Sequence, residues 1–185
     1  MRDRPAVKFL LTVAAGMALA QASLFAQSPA TFEYQVKAAY LLNFANFTEW
    51  LPASGSEEVE ETFHICLAGG NPFGGGLRDT LKGEAVGGRP VTLDEIDRAE
   101  NARRCQVLFV SGKTVSNPSE WVSAVEKLPV LTVGESESFL RRGGMVAFII
   151  EQGHVRFDVN RRVAEAHGLK FSPRLLRVAR TVIER

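Results

Sequence analysis

The chain has 185 residues, 45% of them apolar and 23% charged, with a formal net charge of +1. That composition is ordinary for one globular domain with a core large enough to fold without a dense disulfide framework, and no stretch after residue 26 is long and apolar enough to span a membrane. The charge is uneven: residues 27–140 carry 9 basic and 16 acidic side chains, a net of −7, whereas 141–185 carry 10 basic and 4 acidic, a net of +6. Two accounts of that split stay open, a basic face for an acidic partner or anionic ligand and mutual neutralisation of the two halves in the fold.

The chain opens as a cleavable export signal. Arg2, Arg4 and Lys8 form a positive leading region, Phe9 to Ala20 is an almost unbroken apolar run, and Ala18, Ala20 and Ala22 supply small residues for cleavage. A membrane anchor needs roughly 20 apolar residues, and this run stops short of that at Gln21. No cysteine lies there to carry a lipoprotein anchor. The reading is a signal over 1–26, cut between about 20 and 26, and a single domain over 27–185 that works as a soluble protein outside the cytoplasm without a supply of nucleotide triphosphates.

Thr31 to Leu51 has helical periodicity, with Val36, Tyr40, Phe44, Phe47 and Leu51 three or four residues apart and Leu41, Leu42, Ala45 and Trp50 widening the stripe. A helix so broadly apolar is either deeply buried or presents a surplus face to another chain. An acidic loop follows, then a buried strand at Phe63 to Ala68, a turn rich in glycine and a helix from about Leu77 to Lys82, which is the grammar of a βαβ unit. Further strands are expected at Pro90 to Leu93, Gln106 to Val110, Val130 to Val133, Met145 to Ile150 and His154 to Val159, with helices around Pro118 to Lys127 and Ser136 to Arg141. Glu151, Gln152 and Gly153 fit a hairpin, so the sheet is expected to be mixed though mostly parallel, in an α/β sandwich of three layers with helices on both faces. Asn160 to His167 reads as a helix stopped by Gly168. A last helix, capped by Ser172 and Pro173, is expected to carry an inward stripe of Leu175, Leu176, Ala179, Val182 and Ile183, with Arg174, Arg177 and Arg180 standing away from it.

The search for catalytic chemistry yields little. The turn at Gly69, Gly70, Asn71 and Gly74 does not fit GxGxxG, and Gly112, Lys113 and Thr114 do not complete a P-loop because Val107 stands at its first glycine; tight turn geometry accounts for the glycines of the turn, with a weak anion site as the alternative. His64, His154 and His167 fall in separate elements with no HExxH, no GxSxG elbow exists, and the glutamates at 57, 58, 60 and 61 read as a solvated run. No enzyme, cofactor or metal is expected. The arginine stripe lacks the interleaved aromatics of a nucleic-acid platform. Cys66 and Cys105 are the only cysteines, and in an oxidising compartment such a pair favours a bridge. Buried free thiols remain the alternative, because Cys66 lies inside one expected strand and Cys105 at the start of another.

The order of motifs resembles a known family. Val36 to Trp50 (VKAAYLLNFANFTEW) is similar to the opening helix of the YfiR-like family of small exported bacterial proteins. In register after it come FHIC at 63–66, NPFG at 71–74, GRPV at 88–91, CQVLFVS at 105–111, PVLTV at 129–133, GGMV at 143–146, VRFDVN at 155–160 and FSPRLL at 171–176. The resemblance covers nearly all of the expected mature chain. It implies an α/β sandwich around a mixed sheet, and a periplasmic signalling regulator that binds the periplasmic part of an inner-membrane diguanylate cyclase or similar membrane sensor, holds it inactive, lowers cyclic di-GMP and restrains biofilm formation. It also implies a Cys66–Cys105 disulfide, a homodimer and an outer-membrane protein able to sequester the repressor. A second cysteine pair that relatives carry near the closing hairpin has no counterpart here, so redox sensing through such a pair is not expected. The expected partner surface is Tyr40, Phe44, Phe47 and Trp50 with Arg174, Arg177 and Arg180. The alternative function is a periplasmic module that binds a small molecule at the turn of Gly69, Gly70, Asn71 and Gly74, at the end of a strand.

Overall fold

The computed structural model describes residues 29–51 and 61–184. The expected signal at 1–26 and most of the acidic loop lie outside them. Helix α1 (Pro29–Asn46) leads into β1 (Thr48–Trp50). Then follow β2 (Phe63–Ala68), α2 (Gly76–Leu81), β3 (Ala85–Val86), β4 (Arg89–Ile96), a 3₁₀ turn (Ala99–Arg104) and β5 (Val107–Val110). The second half comprises α3 (Pro118–Ala124), β6 (Leu131–Gly134), α4 (Glu137–Arg141), β7 (Val146–Glu151), β8 (His154–Asn160), α5 (Arg161–Ala166), β9 (Leu169–Phe171), α6 (Pro173–Val178) and β10 (Thr181–Ile183).

Eight strands form one mixed sheet in the order β10-β8-β7-β6-β5-β2-β4-β3, parallel except at β7·β8 and β3·β4. Alternation along the central strands makes two cores. Phe63, Ile65 and Leu67 of β2 with Val107 and Phe109 of β5 face α1 and α2, while Cys66, Ala68, Leu108 and Val110 face the 3₁₀ turn and α3. The fold is therefore α/β with helices on both faces of a mixed sheet, as expected. It departs from a flat sandwich of three layers because the sheet curls into a half-barrel, the outcome of right-handed twist accumulating over eight strands.

Three expected helices are shorter than their periodicity suggests; the one around Pro118 stops at Ala124 rather than Lys127. The first ends at Asn46, and Thr48–Trp50 instead pairs antiparallel with β9, Thr48 opposite Phe171 and Trp50 opposite Leu169. The last ends at Val178, and Thr181–Ile183 runs parallel to β8 with Val182 opposite Val159. Arg180 consequently lies between helix and strand rather than on a helical stripe. The hairpin between β7 and β8 closes through Gln152 and Gly153, both at positive φ (50° and 76°), which gives a tight turn whose twist matches the strands. Ser172 caps α6 by accepting from the Leu175 amide, as its sequence implies.

Cys66 and Cys105 are bridged, with Cα atoms 5.9 Å apart. The stagger needed between neighbouring strands is supplied by the 3₁₀ turn. Cys105 stands just past that turn and ahead of β5, so it reaches Cys66 although Leu108 is the residue paired with Cys66 in the ladder.

Candidate partner interface

Helix α1 sorts its side chains by facet. Tyr34, Ala38, Leu41, Phe44 and Ala45 are buried against the sheet. Phe32, Val36, Tyr40, Asn43 and Phe47, spaced four, four, three and four residues apart, run along one flank of the helix. Phe32 is 62% exposed, and Val36, Tyr40 and Phe47 are half-buried. Two grooves border this flank. Towards its start, Phe32, Val36 and Tyr40 meet Ile150, Val155 and Arg156 of the β7–β8 hairpin around a groove of about 610 Å³. Towards its end, Tyr40, Asn43 and Phe47 meet Arg174, Leu175 and Val178 of α6 around a smaller one of about 250 Å³. Three of the four large hydrophobic side chains exposed among the described residues, Phe32, Ile150 and Val178, rim these two grooves.

The expected partner residues divide accordingly. Tyr40, Phe47 and Arg174 come together, the Arg174 guanidinium lying 5.3 Å from the centre of the Phe47 ring. Arg177 is exposed on the same helix and, with Arg174 and Arg156, forms no ion pair among the described residues. Phe44 belongs to the core, edge-on to Phe157 at 4.9 Å and stacked on Phe148 at 5.5 Å. Trp50 stands edge-on to Phe63 at 5.2 Å and donates from Nε1 to the Pro129 carbonyl at 2.9 Å, which ties β1 to the sheet. Arg180 is occupied by a fork onto Asp158 at 2.8 and 2.5 Å and a contact to Glu137 at 2.9 Å, and these hydrogen bonds raise its pKa further above the ordinary arginine value.

Beneath α1 lies a polar cluster that the sequence reading did not single out. Lys37 is 2% exposed and donates to Glu33 at 2.5 Å and Glu135 at 2.6 Å. Glu135, just past β6, also accepts from the Tyr34 hydroxyl at 2.9 Å, the Ser111 hydroxyl at 2.7 Å and the Gly112 amide at 3.1 Å. Burial works to raise the Glu135 pKa, but donation from Lys37, Ser111 and Tyr34 outweighs it and holds the carboxyl below its ordinary range. Burial and the neighbouring Glu135 charge push the Tyr34 phenol well above its own. One signal was available in the sequence: Lys37 interrupts the inward facet between Tyr34 and Leu41, where a lysine is tolerated only with partners.

The glycine turn follows β2. Asn71 accepts from the Phe73 amide at 2.9 Å and donates to the Gly74 carbonyl at 3.1 Å and Glu95 at 3.0 Å, so its side chain is spent on the turn. Gly69, at φ 70°, has no room for a side chain, since a β-carbon there would fall 2.8 Å from Val115. Gly74 lines a crevice of about 710 Å³ with Tyr34, Phe73, Lys113 and Thr114. It opens where β2 hands over to β5, the point at which the crossover helices change face. Among the described residues no group of three or more His, Cys, Asp or Glu is placed to hold a metal ion. His64 hydrogen-bonds Asp94 at 2.7 Å and Thr92 at 3.1 Å on the outer strands.

The structure thus defines an α/β domain that presents an apolar flank bordered by exposed arginines. The chain is a member of the YfiR/HmsC-like family, whose model matches residues 34–180, a family of periplasmic regulators whose members interact with membrane diguanylate cyclases. No curated protein matches the chain. Among solved structures it is similar to a conserved domain protein from Vibrio cholerae O1 biovar El Tor strain N16961, at 14% identity over 64% of this chain and 54% of that one, with a TM-score of 0.48. It is also similar to an ABC domain in complex with L-Trp from Streptococcus pneumonia, at 12% identity over 84% of this chain and 60% of that one, with a TM-score of 0.49. The chain thus spans between 54% and 60% of the length of those two structures.

Proposed function

We propose that the protein represses an inner-membrane diguanylate cyclase from the periplasm, lowering cyclic di-GMP by seating the cyclase's periplasmic part on the flank of α1 between the β7–β8 hairpin and α6. The observation that carries this reading is the row Phe32, Val36, Tyr40 and Phe47, exposed at Phe32 and half-buried beyond it, bordered by Arg156 and Arg174 and with Arg177 exposed on the same helix as Arg174, none of the three arginines having a carboxylate partner among the described residues. An apolar centre with an uncompensated basic rim suits an acidic, partly apolar partner segment, the rim steering encounter and the centre supplying affinity. Of the seven residues first expected at that surface, Tyr40, Phe47, Arg174 and Arg177 remain in the proposal. Homodimerisation and sequestration by an outer-membrane protein belong to the same reading.

Mild crosslinking of a tagged protein in native envelopes is the test. Recovery of a membrane cyclase, and its loss with Arg174→Glu/Val178→Asp, supports the proposal; recovery of no membrane cyclase or sensor sinks it. A second reading, a module for a small ligand at the glycine turn, is favoured by the position of the 710 Å³ crevice at the handover between β2 and β5. A thermal shift produced by a compound with no partner present separates the two.

A further inference from the structure

A separate cleft of about 470 Å³ opens at the C-terminal ends of β5 and β6, on the far side of Lys113 from the glycine turn. One part of its lining is apolar, made by Val115, Phe139, Phe148 and Ile150. The rest is polar, with the hydroxyls of Ser116, Ser136 and Ser138 beside the charged groups. Five charged side chains line it: Glu33, Lys37, Lys113, Glu135 and Arg142. Their sum is one positive charge. Lys37 is spent on the two glutamates, and Glu135 already has four donors. Lys113 and Arg142 are exposed and have no carboxylate partner among the described residues. Lys113 is held over the Tyr34 ring at 4.8 Å from its centre, which fixes its position without neutralising it.

We infer that this cleft binds a small organic monoanion, a carboxylate on an aliphatic or aromatic body, with Lys113 and Arg142 taking the carboxylate and Val115, Phe139, Phe148 and Ile150 taking the body. The size falls within the range of small-molecule sites, and apolar walls with a few convergent polar groups are their usual make-up. A single surplus positive charge matches a monoanion better than a phosphate, which carries close to two negative charges at neutral pH. Zwitterions are disfavoured, because an ammonium group would have to sit beside Lys37, Lys113 and Arg142, and the Glu135 carboxylate already accepts four hydrogen bonds. The cleft shares Glu33 and Ile150 with the groove at the start of the α1 flank, but its occupancy is read on the isolated protein through Lys113 and Arg142, which line neither groove of that flank, so its failure and that of the repressor reading are distinguishable.

Calorimetric titration of the mature protein with phenylacetate, 4-phenylbutyrate and hexanoate tests this, with phenylacetamide and phenylalanine as the neutral and zwitterionic controls. The expected result is saturable binding of at least one carboxylate, about tenfold weaker for Arg142→Ala and for Lys113→Ala, since each removes one charge-assisted contact. Amide resonances of Gly112, Ser136 and Phe139 should shift on binding. Both substituted residues are exposed, so the variants should fold, and an unchanged melting profile checks this. No saturable binding by any of the three carboxylates, equal binding of phenylacetamide, or resonance shifts confined to other parts of the molecule would overturn the assignment.

Discussion

Lys37 and Glu135, 98 residues apart in the chain, meet at 2.6 Å beneath α1 with side chains only 3% and 9% exposed. The pair joins the helix that carries the apolar flank to the ends of the two central strands β5 and β6, and with Glu33, Tyr34 and Ser111 it leaves no buried side-chain polar atom unsatisfied among the described residues. Whatever docks on α1 therefore meets a helix held by a buried clamp as well as by packing.

Removing one member strands the other. Lys37→Met should destabilise the fold by about 3 kcal/mol, because it leaves the Glu135 carboxylate buried beside a neutral side chain. The double variant Lys37→Met/Glu135→Gln should regain much of that loss, since no uncompensated charge remains. Urea unfolding midpoints at constant slope measure both.

The same clamp gives a pH dependence. Glu135 is held below its ordinary pKa of 4.5, so the folded state binds its proton less readily than the unfolded state. Its stabilising contribution is fully present above about pH 4.5 and is lost as pH falls through the depressed folded value. Glu135→Gln should flatten that part of the stability profile between pH 6 and the acid limb, relative to wild type.

The disulfide joins the strand that starts the sheet to the entrance of its neighbour, closing a segment with a sequence separation of 39. Cys66→Ser/Cys105→Ser should lower stability by about 4 kcal/mol in the chain-entropy picture. Thiol titration of the denatured protein checks the bridge independently: two thiols should appear only after reductant.

Arg180 and Arg174 should behave differently although both were first assigned to one stripe. Arg180→Met leaves Asp158, whose side chain is 5% exposed, without its fork, and should lower the melting temperature; Asp158→Asn in the same chain should restore part of it. Arg174→Glu sits on an exposed rim and should leave the melting temperature nearly unchanged. Differential scanning calorimetry of the three variants separates a structural arginine from a surface one.

The central strands were legible because their apolar runs are bounded by glycine and proline and admit one role. Phe63–Ala68 is placed in the structure where its composition put it, and so is the turn through Gln152 and Gly153. The short edges were not. Thr48–Trp50 and Thr181–Ile183 continue a helical spacing, but partners far along the chain, Phe171 and Val159, recruit them into ladders. Tertiary pairing overrides local period where a segment is only three residues long. Aromatic content marked α1 as important without saying which rings were free: Phe44 and Phe47 are one turn apart, yet only the second reaches the surface. Lys37 on the inward facet of α1 was the one sign of the clamp; its partner was not legible, because Glu135 follows β6 in a stretch that reads as an ordinary polar loop.

Cellular cyclic di-GMP is the most direct measurement of the central claim. In a strain lacking the protein, restoring the wild-type chain should lower cyclic di-GMP, whereas Arg174→Glu/Val178→Asp, exported and folded to the same level, should not. Equal lowering by both chains, or no change with either, would contradict the account.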